Sequence, residues 1–383
     1  IEKNPEMRCI FFKGDAVLKA GDWLDQRDLA TTLRRIKRHG RSGFYEGLTA
    51  SAIEKDMKNH GGFLRKSDLT DYRVKSREAI SGTYRGYQIV SMPPPSSGGV
   101  HLIQMLNVLE GYDLASHGFK SVSATHLMVE TMRQAYADRA QFLGDPDFYE
   151  VPVQRLVSKD YAKKIREGIP MDFARDSVEL GGEHAAATES ESTAHISVVD
   201  SKGNVVSTTQ TINYSFGACV AVPDTGIILN NEMDDFSIQP GVPNVWGLVG
   251  GEANSIEAGK TPLSSMSPTI VLKDAKPVLV LGSPGGSKII TAVLQTIVNV
   301  VDFGLALDLA VSEGRVHHQW LPDRVLIEKD LYPVTTVEGL RAMGHTVEET
   351  RLSFGEIQAI QRLPDGRLIG VSDPRRSGGA AGY

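Results

Sequence analysis

Thr193 begins a stretch, Thr193-Ala-His-Ile-Ser-Val-Val-Asp200, that reads as a β-strand. The run before it, Ala185-Ala-Ala-Thr-Glu-Ser-Glu-Ser192, is small and polar, the composition of a loop or a cleavage site. A threonine freed there as a new N-terminus would hold its hydroxyl beside its own α-amine. The ordinary pKa of such an amine, about 8, suits a general base near neutral pH, and this pairing is a known way to activate a hydroxyl. The plainer alternative is that Thr193 merely opens a strand, and the residues downstream weigh against it.

Four downstream clusters have side chains suited to chemistry. Thr211-Ile-Asn213 ends the strand that should pair with the Thr193 strand. The Thr211 hydroxyl is then within reach of the Thr193 hydroxyl, unless Thr211 is only one more β-branched strand residue. Asn230-Asn-Glu-Met-Asp-Asp-Phe236 follows the apolar run Gly226 to Leu229 and offers side-chain oxygens for an ammonium group or a metal, or else is a solvated turn. A metal is disfavoured, because the spacing is not that of a calcium loop and no histidine pair stands nearby. Pro262-Leu-Ser-Ser-Met-Ser-Pro268 sets Ser264 and Ser265 in a proline-braced loop that can hold a carboxylate or be a simple turn. Gly282-Ser-Pro-Gly-Gly-Ser287 closes an apolar strand and opens a helix, a place where free N–H groups make an oxyanion or anion site. A phosphate loop is the competing use, but the Walker spacing and its lysine-serine pair are absent.

These clusters need a scaffold, and the patterns supply one. Up to residue 192 the chain is mostly helical. Asp25 is expected to cap a helix carrying Leu29, Leu33 and Ile36 and ending at Gly40, and others should run over 44–59, 100–109 and 124–143. In the helix over 100–109, Leu102, Met105, Leu106 and Leu109 should share one side. The exception is a strand pair over 79–90, around Tyr84-Arg-Gly-Tyr87. After Thr193 strands dominate: 196–200 with 205–212, 269–272 with 278–281, and 357–363 with 368–371, each pair joined by a hairpin turn. Helices over 287–302 and 305–314 lie between them, the first apolar nearly all round and so expected to be buried. Hairpin strands beside helical layers imply stacked sheets covered by helices, an α+β fold.

With 383 residues and 41% apolar composition the chain can bury a large core. A net charge of -6 and the lack of any Lys/Arg-rich run argue against a nucleic-acid partner. No segment is long and apolar enough to span a bilayer; 289–301 is short and interrupted by Thr291, Gln295, Thr296 and Asn299. Cys9 and Cys219 have neither the number nor the spacing of a disulfide framework or zinc site and are expected to be core thiols. The amino end shows no initiator methionine and no signal-peptide core, so the chain reads as a mature or truncated product.

The four clusters, with Pro240-Gly-Val-Pro-Asn-Val-Trp-Gly247, Met92-Pro-Pro-Pro-Ser-Ser-Gly-Gly99 and Tyr136-Ala-Asp-Arg139, together resemble bacterial γ-glutamyltranspeptidase, in order and at matching intervals. The resemblance implies an N-terminal-nucleophile hydrolase with a four-layer αββα sandwich, made as a precursor that cuts itself before Thr193. Residues 1–192 would then be the C-terminal part of a large subunit and 193–383 the small, catalytic subunit. By the same resemblance Thr193 is the nucleophile, assisted by Thr211, and Gly285 and Gly286 form the oxyanion hole. Asn213, Glu232 and Asp235 hold the substrate α-amine, and Ser264 and Ser265 its α-carboxylate. Residues 240–251 form a lid with Trp246 where relatives often carry tyrosine, and Ala194 stands where a hydroxyl residue is common.

The implied substrates are glutathione and other γ-glutamyl compounds, with water, amino acids or peptides as acceptors. Neither cofactor nor metal is implied, and the location would be periplasmic or secreted. A further arginine for the α-carboxylate belongs to a portion of the family that precedes this chain; Arg133 and Arg139 are expected to be surface or interhelix pairs. Two alternatives remain. One is a cephalosporin- or glutaryl-type acylase of the same fold, which would need an apolar pocket in place of the charged clamp. The other is an unprocessed binding protein.

Overall fold

The turn between Tyr84 and Tyr87 places Arg85 at φ 50° and Gly86 at φ 77°. Two consecutive left-handed residues give the tight hairpin whose twist matches that of its strands. The structure, a computed structural model, describes residues 1–181, 193–242, 244 and 248–383. The chain divides into two compact units, one of Ile1–Arg77 with Ile212–Asn231 and one of Glu78–Thr211 with Glu232–Tyr383.

The second unit holds most of the candidate residues. Its leading elements are β1 (Ile80–Tyr84), β2 (Tyr87–Ser91), α1 (Gly98–Leu109), α2 (Val122–Phe142), β3 (Thr193–Val199) and β4 (Val205–Thr211). They are followed by β5 (Thr269–Lys273), β6 (Lys276–Gly282), α3 (Lys288–Val301), β7 (Gln358–Arg362) and β8 (Leu368–Ser372). One antiparallel sheet runs β8-β7-β6-β5-β2-β1, and β3 and β4 form a separate hairpin.

Register shows which layers cover the sheet. Gly82, Ile89, Val271 and Leu279 are cross-strand partners and so point to one face. A Cβ on Gly82 would touch Ile103 of α1, so that face carries helix. Gly282 lies three residues beyond Leu279 and faces the other way. A Cβ there would strike the His195 ring, so the hairpin covers the opposite face. Helices, six-stranded sheet and hairpin thus stack as α, β and β, and the α+β expectation holds.

Every residue of α1 is buried, so its apolar side is not the only one covered, as the pattern had suggested. In α2 the buried set includes Glu130, Arg133, Asp138 and Arg139. Arg133 donates to Glu130 at 3.1 Å and also pairs with Asp323. Neither Arg133 nor Arg139 is therefore a surface residue.

In the first unit the helix expected from Asp25 runs from Arg27 to His39, with Gln26 at its cap position. Asp25 accepts instead from the Arg27 N–H at 3.2 Å. The single helix expected over 44–59 is two, Ser42–Tyr45 and Gly47–Asn59, broken where Glu46 is extended and Gly47 takes φ 60°. Ala50, Ile53, Leu69 and Val222 form a core there. Cys9 is exposed and Cys219 half-buried, against the expectation of core thiols.

Candidate active site

Thr193 is the first residue of β3 and Thr211 the last of β4, and they are direct register partners. The Thr193 hydroxyl donates to the Thr211 hydroxyl at 3.3 Å. Both side chains are half-buried. Two residues on, His195 turns into the layer beneath and is 7% exposed. Its Nδ1 lies 2.8 Å from Thr209 Oγ1 and its Nε2 3.2 Å from Ser197 Oγ. Burial pushes its pKa down to about 4, so the ring is neutral in the working range. The Ser197 hydroxyl donates to the Gln358 carbonyl at 3.1 Å and that of Ser207 to the Leu281 carbonyl at 3.0 Å. The hairpin bearing Thr193 is therefore fastened to β6 and β7 by its own inward-facing polar side chains.

Thr193 and Pro284 line one cavity of about 340 Å³, together with Glu356 and Gln358. Gly285 and Gly286 follow Pro284 at φ 135° and φ 55°. A Cβ on Gly285 would lie 2.9 Å from the Gly355 Cα, so backbone conformation and space both demand glycine. Among the described residues no backbone carbonyl accepts from the N–H of either glycine. Their carbonyls cap the entry to α3 by accepting from Lys288 N at 3.0 Å and Ile289 N at 3.3 Å. Donors at a helix start are disposed to meet developing negative charge.

Glu232 and Asp235 lie in a short 3-10 turn, Glu232–Asp235. The Glu232 pKa is pushed up to about 7, first by burial, then by the Asp235 charge and their mutual hydrogen bond. Two carboxyl groups sharing a proton at neutral pH form a site that an ammonium group relieves. Asn254, 5% exposed, joins this turn to the serine loop. Its Nδ2 donates to the Asp235 carbonyl at 2.8 Å, and its Oδ1 accepts from Leu263 N at 3.0 Å.

The serine loop is clasped from the other side by Met92–Gly99. Ser96 and Ser264 form a parallel bridge. Ser97 N and the Ser97 hydroxyl both donate to the Ser264 carbonyl, at 2.8 and 2.9 Å. A Cβ on Gly98 would lie 2.4 Å from the Met266 carbonyl oxygen, so the contact requires glycine. From α2, Arg139 donates to Ser97 Oγ at 3.0 Å and to Ser265 Oγ at 3.3 Å, while the Tyr136 hydroxyl donates to the Ser287 carbonyl behind the glycine turn.

In the first unit Asn213 is 3% exposed and left-handed at φ 71°. Its Nδ2 donates to the Asn231 carbonyl at 3.2 Å, and Asn231 Oδ1 accepts from Tyr214 N at 3.0 Å. Trp246 lies outside the described residues. Sequence patterns did not expose Asn254, His195 or the contacts of Tyr136 and Arg139.

Away from this region His126, Glu130 and His345 come together as potential metal ligands. Hydrogen bonding already uses them. His126 Nε2 faces the Pro170 carbonyl at 2.7 Å, which leaves His126 Nδ1 to accept from His345 Nε2 at 2.8 Å. His345 Nδ1 then accepts from Arg133 at 3.4 Å, and Glu130 pairs with Arg133 and Arg175.

A threonine pair at a hairpin end, a glycine turn and a serine loop thus stand on a helix-backed sheet, and the α+β architecture is that of the N-terminal-nucleophile hydrolases. A family model described as Gamma-glutamyltranspeptidase matches residues 1–383, and the chain belongs to that family, a family of enzymes. It is 50% identical over 375 residues to the glutathione hydrolase proenzyme of Escherichia coli K12, covering 98% of this chain and 64% of that protein. It is 40% identical to the acylase ACY 1 proenzyme of Pseudomonas sp. strain SE83, covering 99% of this chain and 65% of that one. Among solved structures the cephalosporin acylase of Bacillus halodurans superposes with TM-score 0.84 at 28% identity, over 98% of this chain and 66% of that one. The chain therefore spans a little under two thirds of the length of these relatives. No helix among the described residues is long and apolar enough to cross a membrane.

Proposed function

We propose that the protein is a γ-glutamyl hydrolase and transferase whose nucleophile is Thr193, freed by cleavage after Ser192. The observation that carries this reading is the Asn254 bridge between the Glu232–Asp235 turn and the loop of Ser264 and Ser265. It holds an acidic group and a pair of hydroxyls in fixed relation, as recognition of an α-amino acid end requires. An apolar acyl group has no use for that pair. This weighs against the acylase reading, which the ACY 1 and cephalosporin acylase likenesses otherwise favour.

The Thr193 hydroxyl attacks the γ-carbonyl carbon, and its proton passes to the Thr193 α-amine. Negative charge collects on the carbonyl oxygen, where the N–H groups of Gly285 and Gly286 receive it. The C–N bond then breaks, the departing amine takes the proton, and an ester on Thr193 remains. Water repeats the sequence to release glutamate, or an amino acid or peptide amine takes the γ-glutamyl group. Glu232 and Asp235 bind the α-ammonium, and Ser264 and Ser265 the α-carboxylate. Glutathione fits this scheme as donor. The two subunits would be 1–192, with whatever precedes it, and 193–383, and the family likeness supports a periplasmic or secreted location.

Thr193→Ala in the intact protein tests the reading. It should abolish both the cut and turnover of a γ-glutamyl anilide, since one hydroxyl serves both. Two subunits in that variant, or turnover of a glutaryl anilide faster than of the γ-glutamyl anilide by the parent, would contradict it.

A further inference from the structure

Among the described residues three arginines are almost fully buried: Arg133, Arg139 and Arg315. Two have carboxylates to neutralise them, Arg133 with Glu130 at 3.1 Å and Arg315 with Asp373 at 2.6 Å. Arg139, 4% exposed, has hydroxyls instead, Ser97 Oγ at 3.0 Å and Ser265 Oγ at 3.3 Å. Burial lowers its pKa to about 10, against the opposing pull of Tyr136 and of the Asp235 carboxylate across the cavity that Arg139 and Asp235 share, so it is still charged at neutral pH. Among the described residues no carboxylate is in ion-pair contact with Arg139, Asp235 acting only at a distance, and a buried cation so placed is stabilised when a further anion arrives.

The hydrogen-bond directions say where that anion would sit. A guanidinium only donates, so both serine oxygens accept from Arg139. Ser97 passes its own proton to the Ser264 carbonyl at 2.9 Å, which fixes the loop. Ser265 accepts from Arg139, and since its hydroxyl donates to no group among the described residues, its proton can serve a group in front of the loop. Arg139 also lines, with Asp235 and Asn254, a cavity of about 10 Å³. That is room for about one water, so substrate meets the guanidinium through Ser265 and not directly.

We infer that Arg139 is a positioning residue for substrate recognition: from behind the serine loop it turns the Ser265 hydroxyl into a donor toward the substrate α-carboxylate and adds positive charge behind that donor. This rests on the γ-glutamyl reading of the site.

The test compares two anilides in the intact, mature protein: γ-glutamyl-p-nitroanilide and 4-aminobutyryl-p-nitroanilide, which lacks only the α-carboxylate. In Arg139→Met, KM for the γ-glutamyl substrate should rise about 10- to 100-fold, the worth of a hydrogen bond to a charged group, with kcat within about threefold. KM for the aminobutyryl substrate should move by less than about threefold, so the preference for the carboxylate falls by about 10- to 100-fold. Arg139→Lys keeps the charge but not the fork that reaches both serines, and should lose about fivefold in KM for the γ-glutamyl substrate alone. A Met variant that folds and keeps the parent's preference overturns the inference and leaves the γ-glutamyl reading intact. If the Met variant does not fold, Arg139→Lys decides: a KM change confined to the γ-glutamyl substrate supports the inference, and no change, or an equal change for both substrates, overturns it. A parent with no preference between the two substrates would overturn the γ-glutamyl reading itself.

Discussion

The hydroxyls of Thr193 and Thr211 are 3.3 Å apart across directly paired ends of one hairpin, with Thr193 the donor. Backbone pairing sets the spacing of the two Cα atoms, so the hydrogen bond has only side-chain rotamers left to fix. Thr211→Ala should lower kcat about 3- to 10-fold, the worth of one neutral hydrogen bond, and Thr211→Ser should stay near the parent. Steady-state kinetics on a γ-glutamyl anilide check this, and equal rates for the Ala and Ser variants would remove Thr211 from the account.

Glu232 gives the site a pH dependence. Its acid is held at about 7 in the folded protein against an ordinary 4.5, so the folded state binds the proton more tightly. The stability this contributes is present below 4.5 and is lost as pH rises through about 7. Glu232→Gln should therefore raise Tm at pH 8, by about 2–4 °C if roughly 1 kcal/mol is recovered, and leave it unchanged at pH 4. Binding has the opposite sense, since an ammonium substrate needs the anion. KM should fall as pH rises through about 7 in the parent, and a flat KM profile from pH 6 to 8 would count against the acidic clamp.

Asn254 should matter far more than its place in an irregular loop suggests. Asn254→Ala leaves the Asp235 carbonyl and Leu263 N without their partner, at a cost of about 1–3 kcal/mol for each buried group. Thermal unfolding should shift down and KM for the γ-glutamyl substrate should rise. A variant with parental KM would show that the two halves of the clamp are held in place by other contacts.

Gly282→Ala probes the seat of the nucleophile hairpin. The new methyl would lie 2.2 Å from His195 Cε1, so the ring or the hairpin must move. Overpacking of this kind costs about 1–3 kcal/mol, and self-cleavage should slow by at least about tenfold because Thr193 is two residues from the displaced ring. Cleavage at the parent's rate would mean that Thr193 does not depend on this packing.

The candidate site residues were legible in sequence because each sits where a local pattern changes. Thr193 begins an alternating strand after a polar run, and Gly285 and Gly286 separate an apolar strand from an apolar helix. The supporting residues were not. Arg139 and Arg133 lie on a helix whose charged residues are buried in pairs and hydroxyl contacts, and periodicity reads charge as solvent-facing. Asn254 acts between segments that only the folded chain brings together, and nothing local marks it. Cys9 shows the converse, since an apolar residue type predicts burial only on average. The helix expected over 44–59 failed at Glu46, where side-chain pattern gave no sign of the extended backbone.

Maturation is where the central claim, that a freed Thr193 is both nucleophile and carrier of the base, is most exposed. The intact protein should be purified uncut and sampled as it matures, with γ-glutamyl anilide turnover, denaturing electrophoresis and N-terminal sequencing on each sample. Turnover should rise in proportion to a fragment that begins at Thr193 and be absent from the uncut chain at every pH, because an amide nitrogen cannot act as the base. Turnover before any such fragment appears, or a fragment beginning elsewhere, would contradict it.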